Sequence, residues 1–212
     1  MAKTAGYTWN GASRTWEKGT GEVTYNANGE TTNPAIENYV SGEGMWINDY
    51  LRGRFDTTLN EDERRYLNSL DKATAKELGK DMVLYRSVDA KAVFGNMSDL
   101  EYDNLRSFVV YNDNQRLVAN SAQKVLSRKK DSYVEKGFMS TSKSQNVADE
   151  WGGFSGSDMP IVMKLTVSRG TRGVDISKHR MAQGEVILGR NQKVKVGKVY
   201  SRNGNIYVDA TI

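Results

Sequence analysis

Apolar residues recur every three or four positions through most of residues 34–78 and 98–127, and fall in strand-like runs or alternations at 82–86 and in several stretches from residue 161 onward. The first regime predicts helices. Asn33-Pro34 supplies a cap and a proline at the first helical position, followed by Ile36, Tyr39 and Val40 at helical spacing. Gly42 and Gly44 should break that helix, and Met45 to Leu51 resumes it. Asn60-Glu61-Asp62-Glu63 reads as a capping box opening a long amphipathic helix that carries Leu67, Leu70 and Leu78. Two more helices are expected near 98–110 and 114–129, with Leu105, Phe108, Val109, Val118, Ala122 and Val125 inward. The second regime predicts strands. Met82 to Arg86 is a short apolar strand, and Ile161, Met163, Leu165 and Val167 alternate as a half-buried strand does. Val186-Ile187-Leu188, Val194/Val196 and Ile206/Val208/Ala210/Ile212 continue the pattern. Helices first and strands later, joined by short connections, argue for an α+β domain rather than a doubly wound one. Ahead of all this, residues 5–33 are rich in Gly, Asn and Thr, with Asn10-Gly11 and Asn28-Gly29 as turn signals. Residues 1–33 are therefore expected to be an irregular or β-like arm on a domain spanning 34–212.

Composition narrows the chemistry. A length of 212 residues suits one domain, or one domain with an arm. The chain has no cysteine, which excludes disulfides, thiolate catalysis and thiolate metal sites, and its one histidine, His179, excludes a histidine-rich zinc site. Neither G-x-S-x-G, G-x-G-x-x-G nor the P-loop pattern occurs. The net charge of +4 and pI near 9.1 fit an anionic partner only mildly. The basic runs Arg128-Lys129-Lys130 and Lys193/Lys195/Lys198 read as solvated faces. No apolar run is long enough to cross a bilayer, and Met1-Ala2-Lys3-Thr4 lacks a signal-peptide core, so a soluble protein is expected.

Three features sit on or beside predicted strands: Leu84-Tyr85-Arg86, Gly137-Phe138-Met139-Ser140-Thr141-Ser142 and Gln183-Gly184-Glu185-Val186-Ile187-Leu188. Each alone has a bland reading, as a surface arginine, a turn and an edge charge. Their order and spacing resemble the arginine–serine–glutamate class of mono-ADP-ribosyltransferases, in particular the clostridial Rho-modifying exoenzymes and related actin-modifying toxins. The resemblance extends over roughly residues 34–212. It includes Ile36-Glu37-Asn38-Tyr39-Val40, Ile47-Asn48-Asp49-Tyr50-Leu51-Arg52, Pro160 to Leu165 and Arg169-Gly170-Thr171-Arg172-Gly173. It implies one ADP-ribosyltransferase-like domain, with N-terminal helices packed on a mixed β-sandwich core.

The resemblance also implies roles. NAD is the co-substrate, with no metal. Arg86 and Arg52 hold it folded, since a guanidinium fork suits pyrophosphate oxygens, and Asn48, Ser87, Ser140, Thr141 and Ser142 line the same site. Loss of nicotinamide leaves an oxocarbenium-like ribose, which the Glu185 carboxylate stabilises. Ser140 holds Glu185 and NAD in place, while Thr141 and Ser142 stiffen the strand and cap the next helix. Gln183, two residues before Glu185, meets the acceptor. A neutral amide there implies asparagine on a protein, ahead of arginine, or alternatively a nucleobase in RNA or DNA. A non-catalytic binding protein that kept the fold is the reading from another class, and water as acceptor would make the chain a plain NAD glycohydrolase. The resemblance carries further expectations: a monomer, no membrane partner, and action in the cytoplasm of the producing cell or of a target cell after delivery. The sequence departs from the family at Ser87, where many relatives have glycine, and in the glycine-rich segment Trp151 to Asp158, read as a mobile loop beside the nicotinamide. Trp151 and Phe154 are candidate stacking residues there, or Trp151 belongs to the core face of a helix with Val147 and Ala148. His179 and Arg180 lie in the expected acceptor loop, with His179 at the surface or touching the acceptor.

Overall fold

The structure, a computed structural model, describes residues 7–10, 15–18, 23–88, 93, 98–111, 114–127, 132–154, 161–179, 181–202 and 205–212. The Asn10-Gly11 turn, the Arg128-Lys129-Lys130 run, Arg180 and residues 155–158 of the glycine-rich segment lie wholly or partly outside the described residues. The chain divides into two units, one made of Met1–Gly79, Glu135–Ser140 and Arg169–Gln192, the other of Lys80–Val134, Thr141–Ser168 and Lys193–Ile212.

In the first unit, strands β1 (Tyr7–Asn10) and β2 (Thr15–Lys18) pair antiparallel, with Trp9 opposite Trp16. A turn at Asn26–Glu30 follows, with Gly29 at φ 73° and Tyr25 bridging Thr31. Helix α1 (Pro34–Asn38) starts as the sequence predicts, because the Asn33 side chain accepts from Ala35 N and Ile36 N ahead of a proline that lacks a donor. The expected break is a π-turn over Tyr39–Glu43 in which Gly42 takes φ 125°, a conformation that glycine alone adopts at little cost. Helix α2 (Gly44–Leu51) resumes from it. Helix α3 (Glu61–Ala73) opens on a reciprocal capping box between Asn60 and Glu63. It is shorter than its apolar spacing suggests, and Leu78 does not lie on it. The Thr74 hydroxyl donates to the Leu70 carbonyl at 2.9 Å as the helix ends, and Leu78 is buried in an extended stretch where its N–H donates to Thr171 O at 2.8 Å. Strands β5 (Met139–Ser142), β7 (Gly173–Asp175) and β8 (Glu185–Leu188) run in the order β5-β8-β7, and only Met139 and Ser140 of β5 belong to this unit. Ile36, Tyr39, Ile47, Leu70, Phe138, Ile176 and Ile187 form its buried core. Packing those side chains, at about 25 cal/mol per Å² of apolar surface removed from water, holds the helices on the strands.

In the second unit the strand order is β4-β9-β10-β6-β3-β5, with β3 Met82–Val88, β4 Ser132–Glu135, β6 Ile161–Val167, β9 Gln192–Arg202 and β10 Asn205–Thr211. β10 and β6 are parallel while β3–β6 and β9–β10 are antiparallel, so the strand pairing is mixed and the class is α+β. β6 is central, and Val162 is as buried as Ile161 and Met163, because Ala148 and Tyr207 cover its second face. The half-buried reading therefore holds only for its C-terminal half. Lys193, Lys195 and Lys198 are exposed on β9, opposite the buried Val194 and Val196. Helices α4 (Asp99–Tyr111), α5 (Gln115–Ser127) and α6 (Gln145–Phe154) complete the unit. Trp151, on the last turns of α6, is 60% exposed. That overturns the core-face reading, since the inward positions of α6 are taken by Ala148 and its neighbours. Among the described residues, no helix is long and apolar enough to cross a membrane.

Candidate active site

The helix break shapes the site in the first unit. By turning the chain at Gly42, it sets Tyr39 and Asn48 side by side although they are nine residues apart. Tyr39 is buried at 5% exposure, with its ring edge-on to Phe138 at 6.1 Å. Its hydroxyl oxygen accepts from Asn48 Nδ2 at 2.9 Å and from Ser140 Oγ at 3.0 Å. Asn48, also buried, accepts the Phe138 N–H on its Oδ1 at 2.7 Å, so both ends of this amide are in use. An asparagine inside a helix weakens it, and here its side chain ties α2 to the residue preceding β5.

Arg52 caps the C-terminus of α2 and directs Nε to Glu135 Oε1 at 3.0 Å. Glu135 is buried and also accepts the Gly137 N–H at 3.0 Å. A buried carboxylate needs such partners. Its grip on Nε orients the guanidinium, and one terminal nitrogen stands 3.9 Å from Asp49.

Glu185 is the first residue of β8 and half-buried, its carbonyl taking the Ile176 N–H at 3.0 Å. Burial pushes its carboxyl above the ordinary range, while the Ser140 hydroxyl within its reach pulls the other way. Ser140 thus touches Tyr39 on one side and Glu185 on the other. Gln183 is exposed two residues earlier. His179 departs from expectation. It is buried at 2% exposure, with Nε2 3.0 Å from Glu37 Oε2 and Nδ1 accepting Met181 N–H, because its ring turns inward to α1 rather than outward.

The second unit holds the remaining sequence-predicted residues. Arg86 and Ser87 lie half-buried on β3, opposite Met163 and Val162 of β6. Thr141 and Ser142 are buried on β5, Ser142 opposite Tyr85, and Ser142 Oγ accepts Ser144 N–H at 3.0 Å just before α6. Of the residues expected from the sequence, Ser140, Glu185, Asn48, Arg52 and Gln183 lie in the first unit, and the first three are linked through Tyr39, which the sequence did not single out for the site. Nor did it single out Glu135. Tyr39 reads as an apolar core position, and only the π-turn turns its hydroxyl to use. Among the described residues, no cluster of three His, Asp or Glu side chains suited to a metal occurs.

A family model for ADP-ribosyltransferase exoenzymes matches residues 13–212. Among solved structures, the chain is similar to an ADP-ribosyltransferase from Clostridium botulinum, at 23% identity and TM-score 0.60, over 84% of each chain. It is similar to the C3 exoenzyme of Clostridium limosum, at 21% identity and TM-score 0.61, over 89% of this chain and 86% of that one. Plx2a, an ADP-ribosyltransferase toxin from Paenibacillus larvae, matches at 21% identity and TM-score 0.60, over 84% of this chain and 83% of that one. No curated protein sequence is significantly similar to the chain.

Proposed function

The chain belongs to the ADP-ribosyltransferase exoenzyme family, as an NAD-dependent mono-ADP-ribosyltransferase, and from that premise we propose that it modifies a protein side chain, asparagine ahead of arginine, through Glu185, Ser140, Arg86 and Gln183. The observation that carries this reading is the shared serine: the Ser140 hydroxyl, 3.0 Å from the Tyr39 hydroxyl, also reaches Glu185, so its one proton serves one of the two at a time. A fixed hydroxyl against a half-buried carboxylate is a preorganised charge aimed at one place, which is what a short-lived sugar cation needs.

Arg86, Arg52, Asn48, Ser87, Thr141 and Ser142 are proposed to bind NAD, the two arginines through its pyrophosphate. The bond between ribose C1′ and the nicotinamide nitrogen breaks, and its electron pair leaves with nicotinamide. The ionised Glu185 faces the positive charge left on the ribose. An acceptor nitrogen then attacks C1′ and gives up a proton. Gln183 is exposed and neutral, so it can donate to and accept from an asparagine amide, a planar group with the same bonding pattern. A glutamate in its place would instead favour a guanidinium.

The catalytic part is proposed to be residues 34–212, acting as a monomer, with residues 1–33 as an arm. Action in the cytoplasm of the producing cell, or of a target cell after delivery, fits a protein acceptor. The exposed lysine row of β9 favours a second reading, transfer to a nucleobase. Labelled NAD incubated with a cell lysate, then split between nuclease and protease treatment, separates the two. Label that survives nuclease and is lost to protease supports the protein acceptor, and the reverse pattern overturns it.

A further inference from the structure

Between Asp175 at the end of β7 and Glu185 at the start of β8, the chain makes a loop closed at its base by Ile176 N–H on Glu185 O at 3.0 Å. Two turns shape it, His179 N–H to Ile176 O at 2.8 Å and Ala182 N–H to His179 O at 2.9 Å. Lys178, Met181 and Gln183 face solvent, Met181 at 57% exposure. His179, in contrast to these three, carries a fully buried side chain.

Both ring nitrogens of His179 are in use. Nδ1 accepts the Met181 N–H at 3.2 Å, and a nitrogen that accepts carries no proton. The proton is therefore on Nε2, which donates to Glu37 Oε2 at 3.0 Å. The same oxygen takes the Thr31 N–H at 3.3 Å. A continuous chain of hydrogen bonds thus runs from Thr31, through Glu37 on α1 and the imidazole, to the backbone two residues before Gln183. An apolar side chain of similar size would fill the space but make neither bond. The imidazole therefore joins the loop to α1 by two directional bonds as well as by packing.

We propose that His179 is a positioning residue for acceptor transfer, pinning the loop so that Gln183 presents the acceptor at a fixed place beside Glu185. This rests on the reading of Gln183 as the residue that meets the acceptor. Glu185 has holds of its own, through β8, Ile176 N–H and Ser140. Loosening the loop therefore affects transfer to a macromolecule far more than cleavage of NAD with water, which needs no positioned acceptor.

The test compares wild type with His179→Phe, His179→Asn and Gln183→Ala, using labelled NAD and lysate protein as the acceptor probe. His179→Phe fills the volume without either bond, whereas the Asn side-chain oxygen stands where Nδ1 accepts from Met181. The expected result for His179→Phe is a fall of about tenfold in label transferred per nicotinamide released, since small misplacements of reacting groups carry penalties of that size. The KM for NAD stays unchanged, amide exchange at Met181 and Gln183 speeds up, and His179→Asn recovers part of the transfer. Unchanged transfer and exchange in His179→Phe overturn the proposal. So does a parallel loss of cleavage and transfer with a lowered Tm, which marks a purely structural residue. If Gln183→Ala loses transfer and His179→Phe keeps it, the tether is refuted and the acceptor reading stands. If His179→Phe loses transfer and Gln183→Ala keeps it, Gln183 was misread and the loop acts through another residue.

Discussion

Tyr39→Phe removes one oxygen and little else. The ring remains edge-on to Phe138, so the packing contribution is preserved. Two accepted hydrogen bonds disappear, from Asn48 Nδ2 and Ser140 Oγ. Ser140 is exposed and can turn to water, so its loss is small. Asn48 is buried, and its amide N–H is left unpaired, which costs roughly 1–3 kcal/mol. A central value of ~2 kcal/mol lowers Tm by about 4–8 °C in a chain of this length. The same change frees the Ser140 hydroxyl to rotate away from Glu185. Loss of one preorganised hydrogen bond of this kind slows the chemical step by about tenfold to a hundredfold. Calorimetric unfolding reads the first effect, and steady-state nicotinamide release at saturating NAD reads the second. A Tm within about 1 °C of wild type, well inside that shift, with an unaltered kcat, would refute the claim that Tyr39 aims the serine.

Gly137→Ala is expected to be costly despite its small size, because a Cβ there would stand 2.7 Å from Asn48 Oδ1 and 3.3 Å from an Arg52 terminal nitrogen. Overpacking of this kind costs roughly 1–3 kcal/mol, and the KM for NAD should rise with it; thermal unfolding and NAD titration check both. Glu185→Gln should stabilise the fold at neutral pH. The folded pKa of Glu185 is raised, chiefly by burial, so its stability contribution is complete below the unfolded value and is lost as pH rises through the folded one. The Tm advantage of the amide is thus larger near ~pH 7.5 than near ~pH 4, and the wild-type rate should climb with pH through the same raised pKa; Tm measured at both pH values tests the sign. Gln183→Glu should shift transfer toward guanidinium acceptors, read as label on agmatine, and an unchanged acceptor preference would count against the role given to Gln183.

Helix starts were legible because they are local. Asn33-Pro34 and Asn60 to Glu63 carry their caps within four residues, and each cap forms as written. The three blocks on which the resemblance rests stand out for a similar reason, each being a contiguous string. Features that depend on distant partners were not. Leu78 fits a helical face by spacing, and only its bond to Thr171 reveals that it left the helix. Trp151 fits the core face of α6 by composition yet is exposed, because register on a short helix end is decided by what packs on it. The burial of His179 depends on Glu37, which lies 142 residues away, and no local pattern announces that pairing. Tyr39 was counted as core, and correctly so for its ring, but its hydroxyl acquires a task only through a π-turn that spacing does not predict.

Glu185, with Ser140 beside it, is proposed to stabilise the ribose cation formed when NAD loses nicotinamide. Single-turnover nicotinamide release by wild type and Glu185→Gln, under saturating NAD and with Tm measured alongside, tests it most directly. The variant is expected to fold at least as stably, to bind NAD, and to release nicotinamide slower by a factor of about a hundred or more. Equal release rates in a folded, NAD-binding variant would contradict it.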